Sequence, residues 1–217
     1  MDLHTLADGW LILRNKEDDL MGKIVMDMSM SLDGFIAAKN DTPDQPLGED
    51  GQRLHAWYFK DNAAAYNKEL EADLASVGAV IIGRRTYENA HASWGGKGPL
   101  GSVPCLVLAH AEHVPPKEAI GPVFTFVSDG IESALAKARE IVGDKDIALM
   151  GANVQQQFLV AGLIDEIHVD VVPVLLCEGV RLFDRLGSQH ISLEQTEVGE
   201  GDQVAHLTYR VIKEPFN

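Results

Sequence analysis

The chain has 217 residues, 46% hydrophobic and 24% charged, enough for one large domain or two small ones and with no sign of disordered or fibrous composition. Its 18 basic and 33 acidic residues give a formal net charge of -15, which argues against nucleic acid or an anionic membrane surface as a partner, since both reward clustered Lys and Arg. No apolar run approaches the ~20 residues that span a bilayer, and Cys105 and Cys177 sit in apolar runs without metal-ligand spacing, as reduced thiols of a cytoplasmic protein would.

Residues 1–21 read as an N-terminal extension outside the fold: an acid leads the short apolar patch, and no small-residue cleavage site of a signal peptide follows. The domain of residues 22–217 opens with a strand at 23–31, KIVMDMSMS, and a polar loop at 37–51. A helical segment is expected to follow as far as Leu74, apolar at Leu54, Trp57, Tyr58, Ala65, Tyr66, Leu70 and Leu74. The run VGAVIIG (77–83) predicts a strand feeding a helix from Arg84, then a glycine-rich loop at 93–101 and strands at 103–109 and 123–127. A helix over 131–142 is announced by Asp129 with Glu132, the spacing of a capping box. The strand 146–150 runs into a helix at 151–162 closed by Gly162. The segments 164–176, 190–198 and 203–212 have little helix between them, which predicts antiparallel strands extending a parallel sheet. With no internal repeat and no Pro/Ser-rich linker, the pattern is that of one α/β domain with a mixed sheet.

Two strand-to-helix junctions carry the functional signal. At Gly83-Arg84-Arg85-Thr86 and at Gly151-Ala152-Asn153 a glycine ends an apolar strand and a helix begins at once. Free backbone N–H groups and the helix dipole make such turns anion sites, and a glycine lets a phosphate approach. Cations at a helix start are disfavoured unless an anion is also present, so the two arginines ask for one. Two separated phosphate turns suit a dinucleotide, and the Arg pair suits a 2′-phosphate better than a free hydroxyl. Neither GxGxxG nor GxxxxGK[ST] occurs, so the common nucleotide fingerprints do not account for the pattern.

Three stretches, SLDGFIA (31–37), VIIGRRTYE (80–88) and MGANVQQQFLVAGLIDEIHVDVVPVLLCEGVRLF (150–183), resemble the dihydrofolate reductase-like family. The nearest branch is the one that includes the reductase domain of the riboflavin-biosynthesis deaminase-reductase. The resemblance covers nearly all of residues 22–213, and its third stretch is the most specific. It implies a three-layer α/β fold with a mixed, mostly parallel central sheet and antiparallel C-terminal strands, binding NADPH across the sheet edge. It implies that Gly83, Arg84, Arg85 and Thr86 hold the 2′-phosphate and its neighbours, and that Gly151, Ala152, Asn153 and Val154 approach the pyrophosphate. Ser29, Ser31 and Leu32 would line the nicotinamide end, with Asp33 and Gly34 shaping the turn beside it. It further implies a homodimer, and a reductase resembling either 5-amino-6-(5-phosphoribosylamino)uracil reductase or dihydrofolate reductase. Leu149 stands where the riboflavin-pathway reductases carry an acid, and no carboxylate of the first helical segment aligns with the one that serves folate.

Other groups carry two readings each. Asp33 could supply or relay the proton that accompanies a hydride, or simply build an Asp-Gly turn. Glu166, His168 and Asp170 share one strand face and read as a solvated or inter-subunit polar face rather than a metal site. Trp57, Tyr58 and Trp94 could stack on a planar substrate or fill core. The loop 37–51, with four acidic residues and few apolar ones, is a candidate lid. The reading is therefore an NADPH-dependent reductase of a small planar or heterocyclic compound; the alternative is a non-catalytic NADP(H)-binding or sensing module.

Overall fold

A strand that is apolar at every side chain needs cover on both faces, and the run 77–83 has it: Ala79, Val80, Ile81 and Ile82 are all fully buried. The computed structural model of the protein describes residues 21–58, 74–117, 120–188, 190–201 and 203–213. The expected helical positions Ala65, Tyr66 and Leu70 lie outside the described residues. In chain order the strands are β1 (Ile24–Ser31), β2 (Phe35–Ala38), β3 (Val77–Gly83), β4 (Cys105–Leu108), β5 (Phe124–Val127), β6 (Asp146–Met150), β7 (Glu166–Val172), β8 (Gly179–Arg181), β9 (Leu193–Glu200) and β10 (Ala205–Val211). The helices used below are α1 (Arg84–Ala90), α2 (Ile131–Val142) and α3 (Ala152–Val160).

Eight strands form one sheet in the order β5-β4-β3-β6-β1-β7-β10-β9, and β2 pairs with β8 in a second, two-stranded sheet. The six strands from β5 to β7 run parallel to their neighbours. The strands β10 and β9 join antiparallel at the far edge. This is the mixed, mostly parallel fold expected, with one correction: β7, grouped above with the antiparallel strands, pairs in parallel with β1 along its length. It also stops at Val172, because Pro173 offers no N–H to a ladder.

Alternate residues of β3 face opposite layers. Ala79 and Ile81 pack with Phe158 of α3 and Ala134 and Leu135 of α2, while Val80 and Ile82 pack with Tyr87 of α1. The reason lies in the connections. From β3 the chain moves through α1 to β4 on one side, whereas from β6 it passes through α3 to β7 on the other, skipping β1. Parallel crossovers keep one hand, so opposite directions put the two helices on opposite faces. The boundary between β3 and β6 is the topological switch point, where ligands of open α/β sheets bind.

The capping box does not form. The helix α2 starts at Ile131 from Gly130, which has φ 92° and no side-chain cap, so Asp129 stands one residue too early.

Candidate functional site

The strands β3 and β6 are paired in register from Ile82 to Met150, so Gly83 and Gly151 emerge side by side. Gly151 has φ +90°, and a Cβ there would lie 2.4 Å from Thr86 Oγ1; at Gly83 a Cβ would meet Val154 Cγ2 at 3.4 Å. The first turn of α1 and the first turn of α3 therefore close on one another across the sheet edge, although the helices belong to different layers. Ala152 and Val154 are buried, whereas Asn153 is exposed and its Oδ1 accepts a hydrogen bond from Gln157 Nε2 at 2.6 Å. The fully buried Gln155 donates from Nε2 to the Leu149 carbonyl at 2.8 Å, locking the turn onto its own strand. Gln155 was not singled out from sequence, because a glutamine on a helix reads as surface until the helix is packed.

Both arginines hold carboxylates. Arg84 Nη1 contacts both oxygens of Glu88 at 2.7 Å, an exposed pair one helical turn apart, of a kind worth about 0.3–0.5 kcal/mol. Arg85 reaches further, donating from Nε to Asp41 Oδ2 at 2.8 Å and from Nη2 to Asp41 Oδ1. Asn89 Nδ2 adds a third donor to Asp41 Oδ2 at 2.8 Å, and the Asp41 side chain is only 9% exposed. The hydrogen bond with Asp41 holds the Arg85 guanidinium above its usual range. The stretch 37–51 thus differs from a loose lid. The backbone N–H of Ala38 bonds the Leu47 carbonyl, Thr42 and Gln45 exchange two bonds, Glu49 N–H bonds the Lys39 carbonyl, and Asp41 fastens the whole to α1. Its start is the strand β2. The apolar content looked too low for packing because the loop is held by its backbone rather than by a core.

At the other end of the crevice the β1 turn is built from its own polar groups. Ser31 Oγ donates to Asp33 Oδ1 at 2.6 Å and accepts from the Phe35 N–H at 2.9 Å. The Asp33 carboxylate also accepts from Leu176 N–H at 3.1 Å and Cys177 N–H at 2.8 Å. These bonds, the one from Ser31 foremost, hold Asp33 below the ordinary carboxylate range against a smaller desolvation. A carboxylate so placed is an ionised acceptor that ties the turn to the segment after β7, and this speaks for its turn-building role over a proton donor's. Arg181 closes the group, lying 4.3 Å from the Phe35 ring centroid and donating to the Asp33 carbonyl at 3.2 Å. Leu32 is 66% exposed, on the rim of a shallow apolar depression with Val171, Pro173, Val204 and Ala205.

Three kinds of comparison bear on this geometry. A family model described as the RibD C-terminal domain matches residues 22–207. The chain belongs to that family. The uncharacterized protein YyaP of Bacillus subtilis (strain 168) is 27% identical over 171 residues, covering 74% of this chain and 80% of the relative. Among solved structures, a Shewanella sp. PV-4 protein attributed to riboflavin biosynthesis has a TM-score of 0.69 at 24% identity, covering 88% of this chain and 99% of its own. Dihydrofolate reductase from Enterococcus faecalis, in complex with NADP(H) and RAB-propyl, has a TM-score of 0.53 at 16% identity, covering 89% of this chain and 99% of its own. At these identities the structures speak to the fold: the chain has the dihydrofolate reductase-like architecture, and its family is that of a reductase domain.

Within this RibD C-terminal domain, the side chains next to the crevice divide into lining and core. Ser29 is buried and donates to Asp170 Oδ2 at 3.3 Å rather than facing the crevice, and Asp170 Oδ1 is 2.6 Å from His206 Nδ1. These three residues stand in one row across β1, β7 and β10. Trp57 is buried with Leu54, Val172 and Val204, its ring 5.1 Å from that of His206, so it serves as core beneath the row rather than as a stacking platform. Tyr58 meets it edge-on at 5.9 Å and is half-buried, and Trp94 stacks on Phe124 at 6.2 Å. Of the polar face of Glu166, His168 and Asp170, only Asp170 is covered; Glu166 and His168 stay partly open to solvent. Glu166 bonds Lys23 Nζ at 2.7 Å and faces His168 Nε2 at 3.5 Å; the contact with His168, then that with Lys23, lowers its pKa to about 2 despite partial desolvation.

Proposed function

We propose that this RibD C-terminal domain is an NADPH-dependent reductase of a small planar or heterocyclic compound, pterin- or aminopyrimidine-like, acting by hydride transfer. The observation that carries the reading is the contact across the switch point, where a glycine with φ +90° leaves its Cβ space to Thr86 of the neighbouring turn. That cradle fits a pyrophosphate: both turns present backbone at the ends of parallel strands, with Arg84 and Arg85 beside them for the 2′-phosphate. Gly151, Ala152, Asn153 and Val154 would approach the pyrophosphate, and Gly83 with Thr86 the 2′-phosphate and its neighbours. Leu32 would border the nicotinamide, while Ser29 and Ser31 would shape that wall by fixing Asp170 and Asp33 instead of touching the ring. When bound, NADPH supplies the hydride; the chain supplies orientation and keeps water from the reacting face. The shallow depression at Leu32 offers apolar contact to a planar substrate. We read the protein as a cytoplasmic homodimer.

One observation favours the second reading, a binding or sensing module. Asp33, the residue nearest the nicotinamide end with chemistry to offer, is engaged in its turn as an ionised acceptor.

The test is a pair of titrations and an assay. NADPH should bind more tightly than NADH, and Arg84→Ala with Arg85→Ala should remove most of the difference, about tenfold, because exposed guanidinium contacts are screened. Oxidation of NADPH is then followed over pterins, aminopyrimidines, quinones and imines. Equal affinity for both cofactors in the unmodified protein and in the double variant would remove the proposal, and tight binding without turnover on any of them would select the sensing module.

A further inference from the structure

We propose that Asp41 sets the cofactor preference of this site by competing with the 2′-phosphate for Arg85; the inference rests on the reading above. The two arginines of the turn are not equivalent. Arg84 holds a glutamate on its own helix, with side-chain exposures of 37% and 47%, and both partners can turn back to water at little cost. Arg85, 68% exposed itself, is held from outside the helix by a carboxylate only 9% exposed, through both of its oxygens, and Asn89 donates a further bond to that carboxylate. Planar, two-point pairing of this kind is the geometry that a guanidinium also offers a phosphate. The Asp41 carboxylate therefore occupies the Nε–Nη2 edge of Arg85, a two-donor edge that a 2′-phosphate would otherwise use.

The consequence is selective. A 2′-phosphate that takes this edge of Arg85 must leave a nearly buried carboxylate with Asn89 alone, and one that takes the outer donors lies near a like charge; both oppose binding. A cofactor with a free 2′-hydroxyl meets no such opposition. Asp41 therefore narrows the gap between NADPH and NADH to what Arg84 supplies, and the same movement would unfasten the loop 38–49 from α1.

The experiment measures dissociation constants of NADPH, NADH and adenosine 2′,5′-bisphosphate for the full chain and for Asp41→Asn, which keeps the size and an acceptor for Asn89 while removing the charge. NADPH and the bisphosphate should bind about fivefold or more tightly in the variant, with NADH within about twofold of the unmodified protein. Asp41→Ser, checked by circular dichroism, serves the same purpose if the asparagine variant is poorly folded. An unchanged NADPH to NADH ratio, or weaker NADPH binding because Asp41 holds Arg85 in its productive pose, would overturn the inference. The underlying reading is judged separately: if Arg84→Ala with Arg85→Ala still lowers NADPH affinity, the 2′-phosphate site stands without the competitor. If neither the variant nor the unmodified protein prefers NADPH and the double arginine change does nothing, both fall.

Discussion

Gly151 is the residue on which the candidate site turns. Its backbone, at φ +90°, is one that side chains rarely adopt, and the nearest atom to an added Cβ belongs to Thr86 on another element. Gly151→Ala should destabilise the protein by about 1–3 kcal/mol and weaken NADPH together with it, since the backbone at φ +90° is strained for alanine and the Thr86 hydroxyl must give way. Thermal unfolding and a cofactor titration check both halves; an alanine variant with the melting point and affinity of the unmodified protein would contradict the cradle. The glycine itself was legible, because an apolar strand that ends in Gly and starts a helix is a local pattern. Its neighbour was not, since Thr86 approaches it through strand pairing and not along the chain. The same division holds at Asp33: Asp-Gly announced the turn, but the N–H groups of Leu176 and Cys177 that fix its charge come from beyond β7.

Among the elements, the row through β1, β7 and β10 departs most from what their sequences suggest. Read singly, MDMSMS, IHVDVV and VAHLTY alternate polar with apolar, as half-solvated strands do. In register, Ser29, Asp170 and His206 align on one face and are each less than a tenth exposed. Buried polar groups that lose one member of their hydrogen-bonded set leave the others unsatisfied, and that is costly. Asp170→Ala should accordingly lower stability by about 2–4 kcal/mol, by removing the acceptor of Ser29 and His206 in a low-dielectric site. Glu194→Ala, which removes the exposed partner of Arg210, should cost under about 1 kcal/mol. Urea unfolding of the two variants compares them directly, and equal midpoints would show that the row contributes no more than a surface pair. The pattern of each strand was readable; its burial depended on the residues packed against it, Trp57 among them.

At the scale of the whole molecule, apolar surface remains on the C-terminal side. Phe183 and Leu193, 40% and 44% exposed, border a groove formed with Leu159, Ile167, Leu186 and Ile191. A second copy is the commonest cover for such a surface in a soluble protein, so light scattering at micromolar concentration should give twice the chain mass, and the mass of one chain would exclude the homodimer. The α/β alternation, the parallel core strands, both glycine turns and the arginines at one of them are legible along the chain. Each of these is written in residues a few positions apart, where periodicity and backbone freedom act. That the two turns meet, that β7 runs parallel to β1, that Asp41 holds Arg85 and that the row of Ser29, Asp170 and His206 is covered emerge only once the chain is folded. Those depend on strand order and register, which are chosen by the burial of both sheet faces at once and leave no mark at any single position.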